Sequence, residues 1–175
     1  NWIKGKIEEL TWKKYWENEE ETKAFRVVMD HLRAATFLIC DWAVPSNKDQ
    51  WYFTRRLIRS AIRFAGHLWV DGGFIEEIAK EVIKEYCSHY KEHEDKKDFI
   101  VSEMNKEEKQ FLETLEKWLK EFDKLLAWFQ IAFERSGKKI EVIAWNKAFT
   151  LYDTYGFPLE MTVELAEEKG LKVDE

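Results

Sequence analysis

The sequence predicts an all-α protein, a helical bundle lobe followed by a smaller helical lobe, and three observations carry that reading. Only two prolines, Pro45 and Pro158, interrupt 175 residues. Strand-like alternation is nearly absent. Apolar residues recur at intervals of three and four, the spacing that lines one face of a helix. With 45% apolar and 35% charged residues the chain can bury a core, which excludes a disordered tail. Its length suits one domain or two small lobes and is too short for a large multidomain enzyme.

The elements follow in order. Over residues 24–41, Val28, Leu32, Ala35 and Ile39 form one apolar stripe, which stops at the polar loop Val44-Pro45-Ser46-Asn47. A second helix runs from about Trp51 to Leu68. At about 100° per residue, Arg55, Arg56, Arg59 and Arg63 fall within one basic arc. Phe53, Leu57, Ala61, Phe64 and Leu68 lie opposite, so one face is expected to pack and the other to offer guanidiniums. Gly72-Gly73 break the chain before a third helix over about 74–90, and the charged run Lys91–Asp98 reads as a solvated loop. A long helix over about 102–135 carries Phe111, Leu115, Trp118, Phe122, Leu125 and Phe129 on its packing face. Glu113, Glu116, Lys117 and Lys120 lie on its outer face, and Glu107 and Glu108 are also expected at the surface. Ser136-Gly137-Lys138-Lys139 then turns into the second lobe, giving lobes of 1–135 and 136–175. In that lobe a helix of about 144–155 stops at Gly156-Phe157-Pro158, and a last helix has Thr162 as N-cap and ends at Gly170.

Compartment signals are modest. Two isolated cysteines, Cys40 and Cys87, fit reduced thiols and a cytoplasmic setting. No apolar run approaches the roughly 18 residues of a membrane span, and the opening lacks a secretory signal. Beginning at Asn1, the chain reads as an excised piece of a soluble protein.

The net charge of -6 hides a segregated distribution. Between Ala24 and His67 seven basic residues face three acids, a net of +4, which leaves -10 for the rest. Six of the seven arginines lie in that stretch. Arginine suits a planar grip on phosphate, so a basic island in an acidic protein points to an anionic partner. The 51–70 span holds no acid to pair with Arg55, Arg56, Arg59 and Arg63, and four such cations repel unless an acidic neighbour or a polyanion sits beside them. Other chemistry is weak. His89 and His93 are four apart but lack further spaced ligands. No phosphate-binding loop or nucleophile elbow is present, and no clustered acid pair comes with an evident substrate cleft. No catalytic residue is expected, and this stretch alone is not expected to catalyse. A helical protein-interaction scaffold, with the arginine face docking an acidic partner, is the alternative.

Two stretches narrow the choice. The first is Arg26-Val27-Val28-Met29-Asp30-His31-Leu32-Arg33-Ala34, with Pro45-Ser46-Asn47 and Tyr52-Phe53-Thr54-Arg55-Arg56-Leu57-Ile58-Arg59 after it. The second is Ala148-Phe149-Thr150-Leu151-Tyr152-Asp153-Thr154-Tyr155-Gly156-Phe157-Pro158-Leu159. Together they resemble alanyl-tRNA synthetase, over nearly the whole chain. The resemblance implies the helical tRNA-recognition region between the catalytic and editing domains, with 1–23 as the connector from the former. Those domains are the implied intramolecular partners, and ATP and zinc are implied to bind there, leaving no cofactor or metal here. The implied RNA partner is the acceptor stem of alanine tRNA, read at a G·U wobble pair. The family's carboxylate matches Asp153 and its amide matches Asn47, with Arg55, Arg56, Arg59 and Arg63 left for phosphates. Such a pair leaves the guanine amino group facing a wide, shallow minor groove, where a carboxylate is its natural acceptor.

The departures from the family pattern cluster on one residue type. Nine Trp stand against seven Gly, where average usage of about 7% would give about twelve Gly. Trp12, Trp16, Trp42, Trp51, Trp69, Trp118, Trp128 and Trp145 stand where Gly is expected in this family or would suit a turn. UGA codons read as glycine in the source organism, but translated as tryptophan, would produce this pattern. Trp42 is expected at a helix C′ position, where a left-handed backbone suits Gly. Trp51 could obstruct RNA near Asn47.

Overall fold

The computed structural model describes residues 2–48, 51–69, 72–137, 142–146, 150 and 159–174. Helices dominate: α1 (Trp2–Thr11), α2 (Glu19–Cys40), α3 (Trp51–Gly66), α4 (Phe74–Tyr86), α5 (Lys91–Asp95), α6 (Lys97–Ser136) and α7 (Leu159–Glu168). Among the described residues two two-residue strands, β1 (Val142–Ile143) and β2 (Lys172–Val173), are the exception to the all-α pattern. Two compact units result, residues 1–110 and 111–175.

In the first unit, α2 is the central element. Asn18 starts it by accepting a hydrogen bond from the Glu21 amide at 2.7 Å, and Glu19, Glu20 and Glu21 complement the positive end of its dipole. Its expected stripe of Val28, Leu32, Ala35 and Ile39 is fully buried. Leu57, Ala61 and Leu68 are buried as expected, and Ile58 and Ile62 join them. Helix α1 was not legible as a helix, yet it buries Ile3 and Ile7.

The expected loop at Lys91–Asp98 is instead α5 and the first turn of α6. Tertiary contact overrides its charged composition: His93 is buried with its ring 4.3 Å from that of Phe37, and Lys96 Nζ donates to the Cys40 carbonyl at the end of α2, 2.7 Å away. Burial pushes the His93 imidazole below its usual range, opposed by the Tyr90 backbone.

In the second unit, Phe111, Trp118 and Phe122 are buried on α6, with Trp118 and Phe122 stacked at 4.6 Å. Glu113, Glu116, Lys117 and Lys120 are exposed as expected. β1 and β2 pair in parallel, Val142 with Lys172 and Ile143 with Val173. Thr162 is not an N-cap. It lies inside α7, buried beside Met161, because the helix begins three residues earlier. Gly170 ends that helix with φ +71°, as expected. Most of the expected 144–155 helix lies outside the described residues. Within it, Thr150 Oγ1 donates to the Asn146 carbonyl at 2.7 Å, a helical i to i-4 contact.

Candidate nucleic-acid interface

The loop before α3 positions Asn47. The Ser46 amide donates to the Trp51 carbonyl at 3.3 Å, and the Lys48 amide donates to Ser46 Oγ at 3.1 Å. The loop is thereby folded onto the first residue of α3, with Asn47 exposed at its tip. Asn47 Oδ1 accepts a hydrogen bond from Arg55 Nη1, just over one turn into that helix. Asp153 lies outside the described residues.

The expectation of an open guanidinium face on α3 is corrected. Arg59 and Arg63 are 5% and 8% exposed, and the side chain of Arg55 is largely covered. Arg56 is exposed, with its guanidinium 5.5 Å from the ring centroid of Phe53. Phe53, expected to pack, is itself exposed. The buried arc of α3 is wider than the apolar residues alone define, because long arginine stems also cover apolar surface.

The acid that the arginines require comes from α6. Glu107 Oε2 accepts from Arg55 Nε at 3.1 Å, and Glu107 Oε1 accepts from Arg59 Nε at 2.6 Å. Glu107 is only 2% exposed. Glu108 is buried as well, and its carboxylate accepts from the Gly73 amide at 3.2 Å, capping the N-terminus of α4. Burial pushes the Glu108 carboxyl above its ordinary range, against the opposing pull of the Gly73 and Ile75 amides. Both glutamates were expected at the surface. A signal was available: Ile100, Met104 and Phe111 are all buried, and the next helical step after Met104 falls on 107 and 108. The two carboxylates occupy a core position in the repeat.

His89 and His93 do not form a site. His89 is exposed and hydrogen-bonded to Ser88 Oγ at 2.8 Å, whereas His93 is buried. Among the described residues no three His, Cys, Asp or Glu side chains come together to hold a metal ion. Nor is any described helix long and apolar enough to cross a membrane.

Residues 2–175 match the family model of tRNA synthetases class II (A). The chain belongs to that family. Its curated relatives narrow the family to alanyl-tRNA synthetase. The chain is 40% identical over 167 residues to the alanine–tRNA ligase of Geobacillus kaustophilus, covering 95% of the chain and 18% of the relative. It is 41% identical over 174 residues to that of Borrelia hermsii, covering 98% and 28%. With the Treponema pallidum ligase it shares 40% over 171 residues, covering 97% and 27%. The chain thus spans from just under a fifth to somewhat over a quarter of the length of these synthetases. It corresponds to an alanyl-tRNA synthetase region, and the docking-scaffold alternative is not favoured.

Proposed function

We propose that this chain binds the acceptor stem of alanine tRNA and reads its G·U wobble pair, so that the whole enzyme can attach alanine at the expense of ATP. The observation that carries the reading is Asn47: an exposed amide at a loop tip, held by Arg55 rather than left to rotate. The wobble pair leaves the guanine amino group in the shallow minor groove without a base partner, and Asp153 supplies the carboxylate that accepts from it. Arg56, the exposed arginine of α3, serves a backbone phosphate.

Acceptor-stem hairpins carrying G·U or G·C, titrated at one salt concentration, test this. The full-length protein should prefer G·U by about 1–3 kcal/mol, roughly 5- to 150-fold. Asn47→Ala and Asp153→Ala should each erase most of that preference. Equal affinity of the unmodified protein for the two stems refutes the reading.

A further inference from the structure

A buried carboxylate shared by two arginines is an expensive way to hold helices together, since apolar side chains of similar volume do so without desolvating charge. The geometry shows what the cluster achieves in return. Arg55 points its Nε at Glu107 and its Nη1 at Asn47. A guanidinium has five donors and no acceptor, so the Asn47 amide turns its oxygen toward Arg55 and its NH2 away from it. Glu107 holds Nε of Arg55 and so fixes its planar fork in the orientation that reaches Asn47.

We infer that Glu107 is a positioning residue for RNA recognition, acting through Arg55 to hold Asn47 with its amide nitrogen outward, as a donor to an acceptor on the base-pair edge or the ribose. This rests on the proposed role of Asn47 in reading the acceptor stem. The arrangement divides the labour: the carboxylate of Asp153 accepts and Asn47 donates.

The test measures the ratio of G·U to G·C affinity in the full-length protein. Glu107→Gln should lower that ratio several-fold and leave affinity for the G·C stem nearly unchanged. Asn47→Asp keeps a charge-assisted bond to Arg55 but has no NH2, and should lower the ratio as far as Asn47→Ala does. Because Glu107 acts through Asn47, the double variant Glu107→Gln/Asn47→Ala should be no worse than Asn47→Ala alone. Should Glu107→Gln fail to fold, Arg55→Lys replaces the fork by a single point of donation and should give the same loss. A folded Glu107→Gln or Arg55→Lys protein with an unchanged ratio overturns the inference, and so does equal weakening of both stems. An unchanged ratio in Asn47→Ala instead removes the RNA reading itself, and the inference with it.

An independent observation carries a second inference. Helix α2 closes with the Ala43 amide bonded to the Leu38 carbonyl at 2.8 Å and the Trp42 amide bonded to the Ile39 carbonyl at 2.9 Å. Helix α7 closes with the same pair, Leu171 to Ala166 and Gly170 to Glu167, both at 2.9 Å. The residue at the left-handed position is glycine in one cap, with φ +71°, and tryptophan in the other, with φ +65°. Trp12, Trp16 and Trp69 are also left-handed, at φ 58°, 77° and 61°. These four are the only non-glycine residues of positive φ among those described, and all belong to the eight singled out from composition. Nor does packing compensate at every site, since Trp12 is 92% and Trp69 83% exposed. Trp118, helical and buried, shows no such strain.

The structure assigns positions 12, 16, 42 and 69 to glycine in the protein made by its own organism, with UGA read there as glycine. The gene decides this: TGA at these codons is expected, and TGG overturns it. A physical readout accompanies it. Trp12→Gly and Trp69→Gly should raise the melting temperature, and Trp12→Ala and Trp69→Ala should not match them, because only glycine lacks the Cβ that disfavours this backbone. Equal melting temperatures for the Gly and Ala variants count against the assignment.

Discussion

Helix α6 is one continuous run of 40 residues whose two parts reverse the usual rule of burial. In the first unit it buries two consecutive carboxylates, Glu107 and Glu108, while in the second it leaves Leu112, Leu119, Trp128, Ile131 and Phe133 exposed. The amphipathic repeat runs through both parts, so periodicity alone does not explain the difference. What decides burial is what the fold places opposite. The first part meets the guanidiniums of α3 and the amide terminus of α4, which supply the hydrogen bonds that a buried carboxylate demands.

Substitutions sharpen that contrast, and the largest effect is expected at Glu107. Glu107→Ala removes the carboxylate that Arg55 and Arg59 share in the interior, and denaturant unfolding should show a loss of about 3–5 kcal/mol. Next comes Glu108, whose effect depends on pH. Its folded-state carboxyl is raised, so its contribution is present below about pH 4.5 and is lost as pH rises through the folded value. His93 is lowered, so its contribution is present above about pH 6.5 and is lost as pH falls. The two slopes oppose each other between those limits. Glu108→Gln keeps an acceptor for the Gly73 amide but removes the falling slope, so its melting temperature should climb more steeply with pH than that of the unmodified chain. Parallel profiles would mean that Glu108 is not desolvated. In the second part of α6, Leu119→Ser should change stability by no more than about 0.5 kcal/mol. Smallest of all is Lys120→Ala, which breaks an exposed pair with Glu116 and should not shift the melting curve measurably.

Much of the fold was legible because its helices announce themselves. The stripe of α2, the arginine-bearing α3 and the long α6 follow from spacing, and Gly170 from its place after the last apolar residue. Helix α5 was hidden because it is only five residues long and its charge says loop until Phe37 is seen against His93. At the candidate site, Asn47 and the arginine cluster were legible from motif and composition. The direction of the arginines was not. A basic arc without local acids fits an outward face seeking phosphate and an inward face seeking a carboxylate equally well. Only Glu107, 48 residues beyond Arg59, distinguishes them. Asp153, the other half of the proposed reading, lies outside the described residues.

The bond from Glu108 to the Gly73 amide joins positions 35 residues apart and ties the start of α4 to the middle of a different helix. Opening α6 there strips the cap from α4, so the two stretches come undone in one cooperative event. Amide protons of Gly73 and Ile75 should therefore exchange with solvent at the pace of α6 near Glu108, far slower than those of a helix end left to fray by itself.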